Sequence, residues 1–203
     1  MLCRSSGFFK GACNKLWESG RTNRVTLKEF HPIIFKIFLT WLELGDIESA
    51  PPITDLLALN VDKSILDAGY IVRLLKSYIL GDFLLAEEFQ NSVMNLLITR
   101  CNLYIQSYGR CVGIDPISIS YVISNTLPDS LLRRMLYDYW ATMIGRKNTI
   151  SDDIPKEFYH QLSVYLIIEY ERGRILKAPW NQDCCVYHSH RGQPGQYSCT
   201  KKQ

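Results

Sequence analysis

One apolar stretch, framed by a proline and a glycine, constrains the fold of this chain more than any other feature. Pro32 suits the first turn of a helix, where its missing N–H leaves no bond unmade, and Gly45 is the residue type that most often ends a helix. Between them, large apolar side chains cover most of the helical circumference: Ile33, Ile34, Phe35, Ile37, Phe38, Leu39, Trp41, Leu42 and Leu44. A helix that is apolar on so many sides has to be buried against more than one neighbour.

Further helices follow this segment, and one short strand precedes it. Apolar side chains recur at helical spacing over residues 66–82 and 86–108. Three shorter helices are predicted after them, over residues 115–125, 128–144 and 155–172. The β-branched alternation at residues 24–27 (RVTL) predicts a short strand. The expected fold class is therefore α+β, mostly α, with a core that includes Phe35, Phe38, Trp41, Leu42, Leu74, Leu75, Tyr78, Phe89, Leu96 and Leu97.

The charge of the chain argues against a nucleic-acid partner. The formal net charge is +3, and the basic surplus lies in residues 177–203, so that the preceding residues sum to zero. Binding to phosphates requires a basic face that releases counterions, and a neutral body offers none. The longest apolar runs are interrupted by charged residues and fall short of the ~20 residues that cross a bilayer. We therefore expect neither nucleic acid nor membrane as a partner.

The seven cysteines predict a reducing compartment. Their number is odd, they are scattered, and most lie in apolar segments, which is not typical of a disulfide framework. The first residues (MLCRSSG) lack the basic start and the apolar run of a signal peptide. The expected location is the cytoplasm, the nucleus or both, where cysteines of the body act as small apolar side chains.

Four segments of the N-terminal half resemble the second half of a BTB/POZ domain. Residues 2–12 (LCRSSGFFKGA) are similar to the family's helix pair L-x-x-x-S-x-x-F, and residues 24–27 are similar to the strand that follows it. Residues 35–45 (FKIFLTWLELG) resemble F-x-x-x-L-x-W-L-Y-x-G, with Glu43 where tyrosine is usual. Residues 74–83 (LLKSYILGDF) resemble the next core helix, L-x-x-L-Y-x-L-A-D-x-L. The order and spacing of the four segments carry the resemblance.

The C-terminal half is similar to the helical extension of many fungal BTB proteins. Residues 120–136 (SYVISNTLPDSLLRRML) resemble Y-x-x-T-x-x-x-S-x-L-R, and residues 178–190 (APWNQDCCVYHSH) resemble the tail motif P-W-x-x-x-x-C-x-Y-H-x-H. A partial BTB/POZ domain is therefore expected over residues 1–108 and a helical extension over residues 109–176. Residues 177–203 are polar and lack periodicity, which predicts a disordered tail.

The resemblance also carries expectations about function. The family's first β-hairpin and its F-x-V-H-K-x-L-L segment have no counterpart in this sequence, which implies a domain truncated at its N-terminal end. BTB/POZ domains are protein–protein interaction modules, so the implied function is that of an adaptor for a cullin ubiquitin ligase, or of association with another BTB chain. Because the missing hairpin normally contributes to the dimer surface, the oligomeric state stays open.

The resemblance places a candidate scaffold-binding site just before the predicted strand. Some BTB adaptors carry a hydrophobic-X-Glu triplet there, and Leu16, Trp17 and Glu18 stand at that position. The helix start at His31 and Phe35 would complete the surface. An apolar side chain beside a carboxylate can fill a pocket on a partner, and such anchors carry most of the interface energy. The alternative is a solvent-facing loop with Trp17 tucked onto the body.

Four residues of zinc-ligand type cluster near the C-terminus, at Cys184, Cys185, His188 and His190. Structural zinc sites usually take two ligand pairs from separate turns, whereas this spacing crowds all four together. The opposing interpretation is that Trp180, Tyr187 and the histidines dock the tail onto the helical extension. A small regulatory domain with a zinc- or ligand-binding tail is therefore the alternative to the interaction module, which itself needs no cofactor.

No motif predicts catalysis. The chain lacks a G-x-S-x-G elbow, a glycine-rich phosphate loop and an H-E-x-x-H pair. His31 lies at a helix start, where capping or surface solvation is expected, and His160 lies on a mid-helix face, where a structural role is expected. We interpret the pair Arg133 and Arg134 as a solvated face rather than as a phosphate site. The sequence thus predicts a protein that is not an enzyme.

Overall fold

The computed structural model of the chain describes residues 1–16, 18–22, 24–49, 63–109, 114–143 and 153–190. This part contains the helices α1 (Leu2–Ser5), α2 (Gly7–Ala12), α3 (Glu18–Thr22), α4 (Pro32–Leu44), α5 (Lys63–Phe83), α6 (Glu87–Tyr108), α7 (Pro116–Asn125), α8 (Leu131–Met143) and α9 (Lys156–Glu171). Two 3-10 turns follow, at Pro179–Asn181 and Cys184–Tyr187. Among the described helices, none has the length and apolar content that crossing a bilayer requires.

The predicted strand at residues 24–27 is wrong. These residues are an irregular segment between α3 and α4, and no strand occurs in the described part of the chain. A strand needs a neighbouring strand for its backbone hydrogen bonds, and the described neighbours are helices whose own backbone groups are already paired. For these residues the fold is therefore all-α and not α+β.

The local sequence determines both ends of α4. The Nδ1 atom of His31 accepts a hydrogen bond from the N–H of Ile33 at 3.3 Å, and Pro32 occupies the first turn. Gly45 ends the helix with a φ of 68°, and its N–H donates to the carbonyl of Trp41 at 2.8 Å. Because glycine adopts this left-handed φ without a steric cost, α4 stops where the sequence predicts.

The pair α5 and α6 forms the centre of the molecule, and α4 packs across it. Phe38 of α4 meets Phe89 of α6 with ring centroids 5.0 Å apart. Gly81 lies near the end of α5, where a Cβ atom would stand 3.2 Å from side-chain atoms of Phe89 and Gln90. The close approach of α5 and α6 at this point therefore depends on glycine.

The core lies where the sequence predicts it. Of the predicted core residues, six are buried: Phe38, Leu74, Leu75, Tyr78, Phe89 and Leu97. The other four are partly buried and pack against them: Phe35, Trp41, Leu42 and Leu96. Of the large apolar side chains on α4 that follow Pro32, only Leu44 is exposed. The apolar circumference of α4 thus reflects packing against α2, α5 and α6 together.

Helices α1 and α2 are fastened to the turn that joins α5 to α6. The hydroxyl of Ser6 donates to the carbonyl of Leu84 at 2.6 Å and accepts from the N–H of Phe9 at 3.2 Å. The N–H of Phe8 donates to the same carbonyl of Leu84 at 3.2 Å. The buried ring of Phe9 then reaches the core, so the first helices close one end of it.

The helices after α6 extend the same core. Asp115 caps α7, since its Oδ1 atom accepts from the N–H of Ser118 at 2.7 Å. Helix α7 packs against α5, and α9 packs along α8, where the rings of Trp140 and Phe158 lie 5.6 Å apart. The buried side chains of α4 to α9 form one continuous cluster, which spans both of the predicted units 1–108 and 109–176.

Candidate functional site

The C-terminal segment, residues 177–190, lies against α6 and α8. Tyr187 is fully buried, and its hydroxyl donates to the carboxylate of Asp138 at 2.6 Å. Trp180 packs edge-on against Tyr139 of α8 with ring centroids 6.3 Å apart. Two aromatic side chains thus anchor a segment that is otherwise polar.

This docking differs from the disorder expected for residues 177–203. Polar residues dominate the composition of that stretch, but Trp180 and Tyr187 pack against apolar side chains of the helices. The docked arrangement is the one that the sequence offers as the opposing interpretation to a zinc site. Residues 191–203 lie outside the described residues.

Asp138 is the buried polar residue to which the C-terminal segment is hydrogen-bonded. It is 2% exposed and accepts hydrogen bonds from the hydroxyls of Tyr165 and Tyr187 at 2.7 and 2.6 Å. Burial, and then the bond to Asp138, raise the pKa of both tyrosines, so that both hydroxyls stay protonated and donate. Sequence reasoning missed Asp138. The available signal was a carboxylate enclosed by aromatic residues within a helix (LYDYW).

Two asparagines on α6 hold the end of the segment. The side chain of Asn91 donates to the carbonyl of Ser189 at 3.0 Å and accepts from its N–H at 2.9 Å. One turn later, Oδ1 of Asn95 lies 2.7 Å from Nε2 of His188. An amide oxygen only accepts, so a neutral His188 carries its proton on Nε2 and its lone pair on Nδ1. Sequence reasoning missed both asparagines, because a polar residue on a helix face forms no distinctive pattern.

Cys184, Cys185 and His188 come together beside these asparagines. The second 3-10 turn brings two sulfur atoms and one ring nitrogen within 4.8 Å of one another. His190 is exposed, and its ring centroid lies 6.0 Å from that of His188. Three of the four predicted metal ligands therefore form a cluster, and His190 lies at its edge.

Partial burial sets the protonation of this cluster. Burial raises the pKa of the Cys184 thiol, and the neighbouring Cys185 and Asp183 raise it further. Burial also lowers the pKa of His188, and the nearby His190 adds to that effect. The surroundings thus favour a protonated Cys184 thiol and a neutral His188 imidazole, and a bound cation would be needed to favour the Cys184 thiolate.

The five residues predicted to bind a scaffold have different surroundings. Leu16 is 84% exposed, whereas Trp17 and the side chain of Glu18 lie outside the described part of the chain. His31 is exposed and caps α4. Phe35 is half-buried and packs against other aromatic rings of the core. Of the described members, Leu16 is the apolar side chain most accessible to a partner.

Helix α9 carries large apolar side chains on two opposite sides. Phe158 and Leu162 are buried on the side that faces α8. The opposite side, which we call the outer face of α9, presents four exposed side chains: Val164, Ile167, Ile168 and Tyr170. A helix on the surface of a globular protein is normally apolar on one side only. The sequence shows these outer apolar residues, but periodicity alone does not tell which side of the helix packs against the rest of the protein.

A polar cavity of about 330 Å³ lies between α8, α9 and the C-terminal segment. Its lining includes the cations Arg134, Arg174 and Lys177 together with the anions Asp138 and Glu169. Arg174 is paired with Glu169 at 3.2 Å. Because charges of both signs lie side by side, the cavity does not present the field of a single sign that would select a charged ligand.

Comparison with known proteins assigns no family to the chain. No protein-family model matches it, and no curated protein and no solved structure shows significant similarity to it. The resemblance to BTB/POZ proteins therefore depends on the sequence motifs alone.

Proposed function

We propose that the chain is a protein–protein interaction module, of the kind that its resemblance to BTB/POZ proteins implies, and that it acts by association and not by catalysis. The outer face of α9 is the observation that supports this most directly. Ile167 is 58% exposed on a helix whose opposite side is already packed. Apolar surface in water costs about 25 cal/mol per Å², and exposed apolar patches on a protein often mark sites where partners bind.

A second copy of the chain suits the outer face of α9. When two α9 helices pair in antiparallel fashion about a point near Val164, Lys156 of each copy approaches Glu171 of the other. Both of these residues are exposed, at opposite ends of the helix. Opposite charges at the ends, with apolar side chains, His160 and Ser163 between them, make a surface that can pair with itself. The module therefore associates with itself through α9.

Ile167→Asp should shift the chain toward the monomer in sedimentation velocity experiments. The wild-type chain is expected to show a dimer whose fraction grows with concentration in the micromolar range. Because a carboxylate loses its hydration in an apolar contact, the variant dimer should be at least ~10-fold weaker. Ile117→Asp is the matched control: Ile117 is 82% exposed on α7, outside the proposed interface, and its replacement should leave the equilibrium unchanged.

The charged ends of α9 give a second test of the same dimer. Lys156→Glu alone should weaken association, and the addition of Glu171→Lys should restore it, because opposite charges then face each other again. A wild-type chain that stays monomeric at every concentration would contradict the proposed function. A dimer that persists unchanged in Ile167→Asp would contradict the proposed interface.

The exposure of Leu16 favours a second and more specific candidate, an adaptor for a cullin scaffold. Leu16→Ala combined with Glu18→Ala should abolish binding to a purified cullin and leave the thermal unfolding curve unchanged, because Leu16 is not part of the core. Leu127→Ala replaces another exposed leucine, 72% accessible, and should not affect binding. A wild-type chain that fails to bind the cullin at micromolar concentration would remove the adaptor candidate and leave self-association.

A further inference from the structure

The cluster of Cys184, Cys185 and His188 has the donor set of a zinc site. Thiolate and imidazole are the ligands that zinc prefers, in tetrahedral arrangement. With Zn–S bonds of ~2.3 Å and Zn–N bonds of ~2.0 Å, neighbouring ligand atoms of such a site lie about 3.5–4 Å apart. The three ligand atoms here lie within 4.8 Å of one another. Side-chain movements of about 1 Å are enough to close the shell around an ion.

The contact of His188 with Asn95 makes Nδ1 the ring nitrogen that would bind a metal. Its Nε2 atom lies 2.7 Å from Oδ1 of Asn95, which fixes the proton on Nε2 and the lone pair on Nδ1. Histidines that bind metals usually donate their other N–H to an oxygen acceptor in this manner, which fixes both the tautomer and the ring plane. The paired hydrogen bonds of Asn91 to Ser189 hold the adjacent backbone. The ligand therefore rests on α6 and not only on its own short segment.

The ring of His190 lies next to that of His188. The ring centroids of His188 and His190 are 6.0 Å apart. Two imidazoles bound to one tetrahedral zinc have centroids about 5 Å apart, so His190 has to move closer to His188 to complete the shell. The side chain of His190 is exposed, and such a movement displaces no core residue.

We propose that Cys184, Cys185 and His188 bind one zinc ion. His190 supplies the fourth ligand. On binding, each thiol releases its proton to solvent and forms a Zn–S bond, so two protons leave for each ion bound. Two thiolates balance the charge of Zn²⁺, which leaves the loaded site neutral overall and suits its partly buried position. The ion links residues within the C-terminal segment, which the hydrogen bonds of Asn91 and Asn95 hold on α6, and the site does not depend on association through α9.

Titration of the reduced, metal-free full-length chain with Co²⁺ tests the site. A Co²⁺ ion at this site should give intense visible bands of tetrahedral coordination and near-ultraviolet bands of thiolate-to-metal charge transfer, at one ion per chain. Zn²⁺ should then displace Co²⁺ and abolish the bands. Cys101 does not contribute, because burial raises the pKa of its thiol to about 12 and leaves it inside the core.

Paired cysteine variants locate the ligands. Cys184→Ser with Cys185→Ser should remove the charge-transfer bands, whereas Cys3→Ser with Cys13→Ser should retain them. Cys3 and Cys13 are the matched control, because their sulfur atoms are also close to each other, at 2.6 Å, and both residues are exposed. The proposal is overturned if the wild-type chain gives no such bands, if they survive the first pair of substitutions, or if the second pair abolishes them.

Asn95 provides a test that leaves all ligands in place. Asn95→Ala should lower the affinity for Zn²⁺ by about 10–100-fold, as measured by competition with a chromophoric chelator. Asn95→Asp keeps an oxygen acceptor for Nε2 of His188 and should bind Zn²⁺ nearly as well as the wild-type chain. Equal affinity of the alanine variant, the aspartate variant and the wild type would overturn the role assigned to His188.

Discussion

Replacing Phe38 with alanine should lower the free energy of unfolding by about 3–5 kcal/mol. The ring of Phe38 is fully buried, and its centroid lies 5.0 Å from that of Phe89, 5.9 Å from that of Phe35 and 6.2 Å from that of Trp41. Its removal leaves a cavity where α4 meets α6, and close-packed neighbours collapse only partly into such a space. Urea unfolding followed by circular dichroism measures the loss.

Tyr170→Ala is the control for the Phe38 experiment. Tyr170 is also aromatic but is 85% exposed, so its removal from the monomer should change the free energy of unfolding by less than ~1 kcal/mol. If Phe38→Ala were no more destabilising than Tyr170→Ala, the packing of α4 described above would be contradicted.

Replacing Arg133 with alanine should destabilise the chain by about 3 kcal/mol. The side chain of Arg133 is 3% exposed, and its guanidinium donates to the carbonyls of Ile123 and Thr126 at the end of α7. It also donates to the side chain of Gln161 on α9 at 2.8 Å. Alanine would leave these partly buried carbonyls without the guanidinium donor, at a cost of about 1–3 kcal/mol for each such group.

Two further substitutions separate this role of Arg133 from a general effect of charge. Arg134→Ala removes the neighbouring cation, which is only half-buried, and should cost less than ~1 kcal/mol. Arg133→Lys keeps the charge but not the planar set of donors, so it should not restore stability. Equal losses of unfolding free energy for Arg133→Ala and Arg134→Ala would contradict the stabilisation of α7 by Arg133.

Because Arg133 is buried, the interpretation of these two arginines as a solvated face is wrong for Arg133.

Helix positions could be predicted from the sequence because their ends are set by local chemistry. The predicted helix over residues 32–44 coincides with α4, since proline, a capping histidine and glycine act within one turn of each end. Likewise, Asp115 and Pro116 begin α7 at the predicted place. In both cases every residue that determines the boundary is close in sequence.

The prediction of a strand at residues 24–27 was wrong because a strand depends on residues that are distant in sequence. Alternation of β-branched residues describes a surface that suits a sheet, but a strand exists only when another strand lies beside it. That partner would be distant in sequence, so four residues carry no information about it. The elements described around this segment are helices. The β-branched alternation of residues 24–27 therefore does not produce a strand.

The candidate metal ligands could be recognised from composition, but the residues that support them could not. Cysteine and histidine are scarce, so a cluster that includes Cys184 and His188 is visible in the sequence. Asn95 lies 93 positions away from His188, and the two meet only because the segment docks on α6. Asp138, 49 positions from Tyr187, determines that docking in the same way. Contacts of such long range follow from the fold and from no local pattern.

Hydroxyl-radical footprinting of the wild-type chain at low and at high concentration tests association through the outer face of α9 most directly. Side chains that enter an interface lose access to solvent and are oxidised more slowly. We predict that oxidation of Ile167 and Tyr170 falls as the chain associates, whereas oxidation of Ile117 on α7 stays constant. Oxidation of Ile167 and Tyr170 that is independent of concentration, or that falls no more than that of Ile117, would contradict self-association through this face.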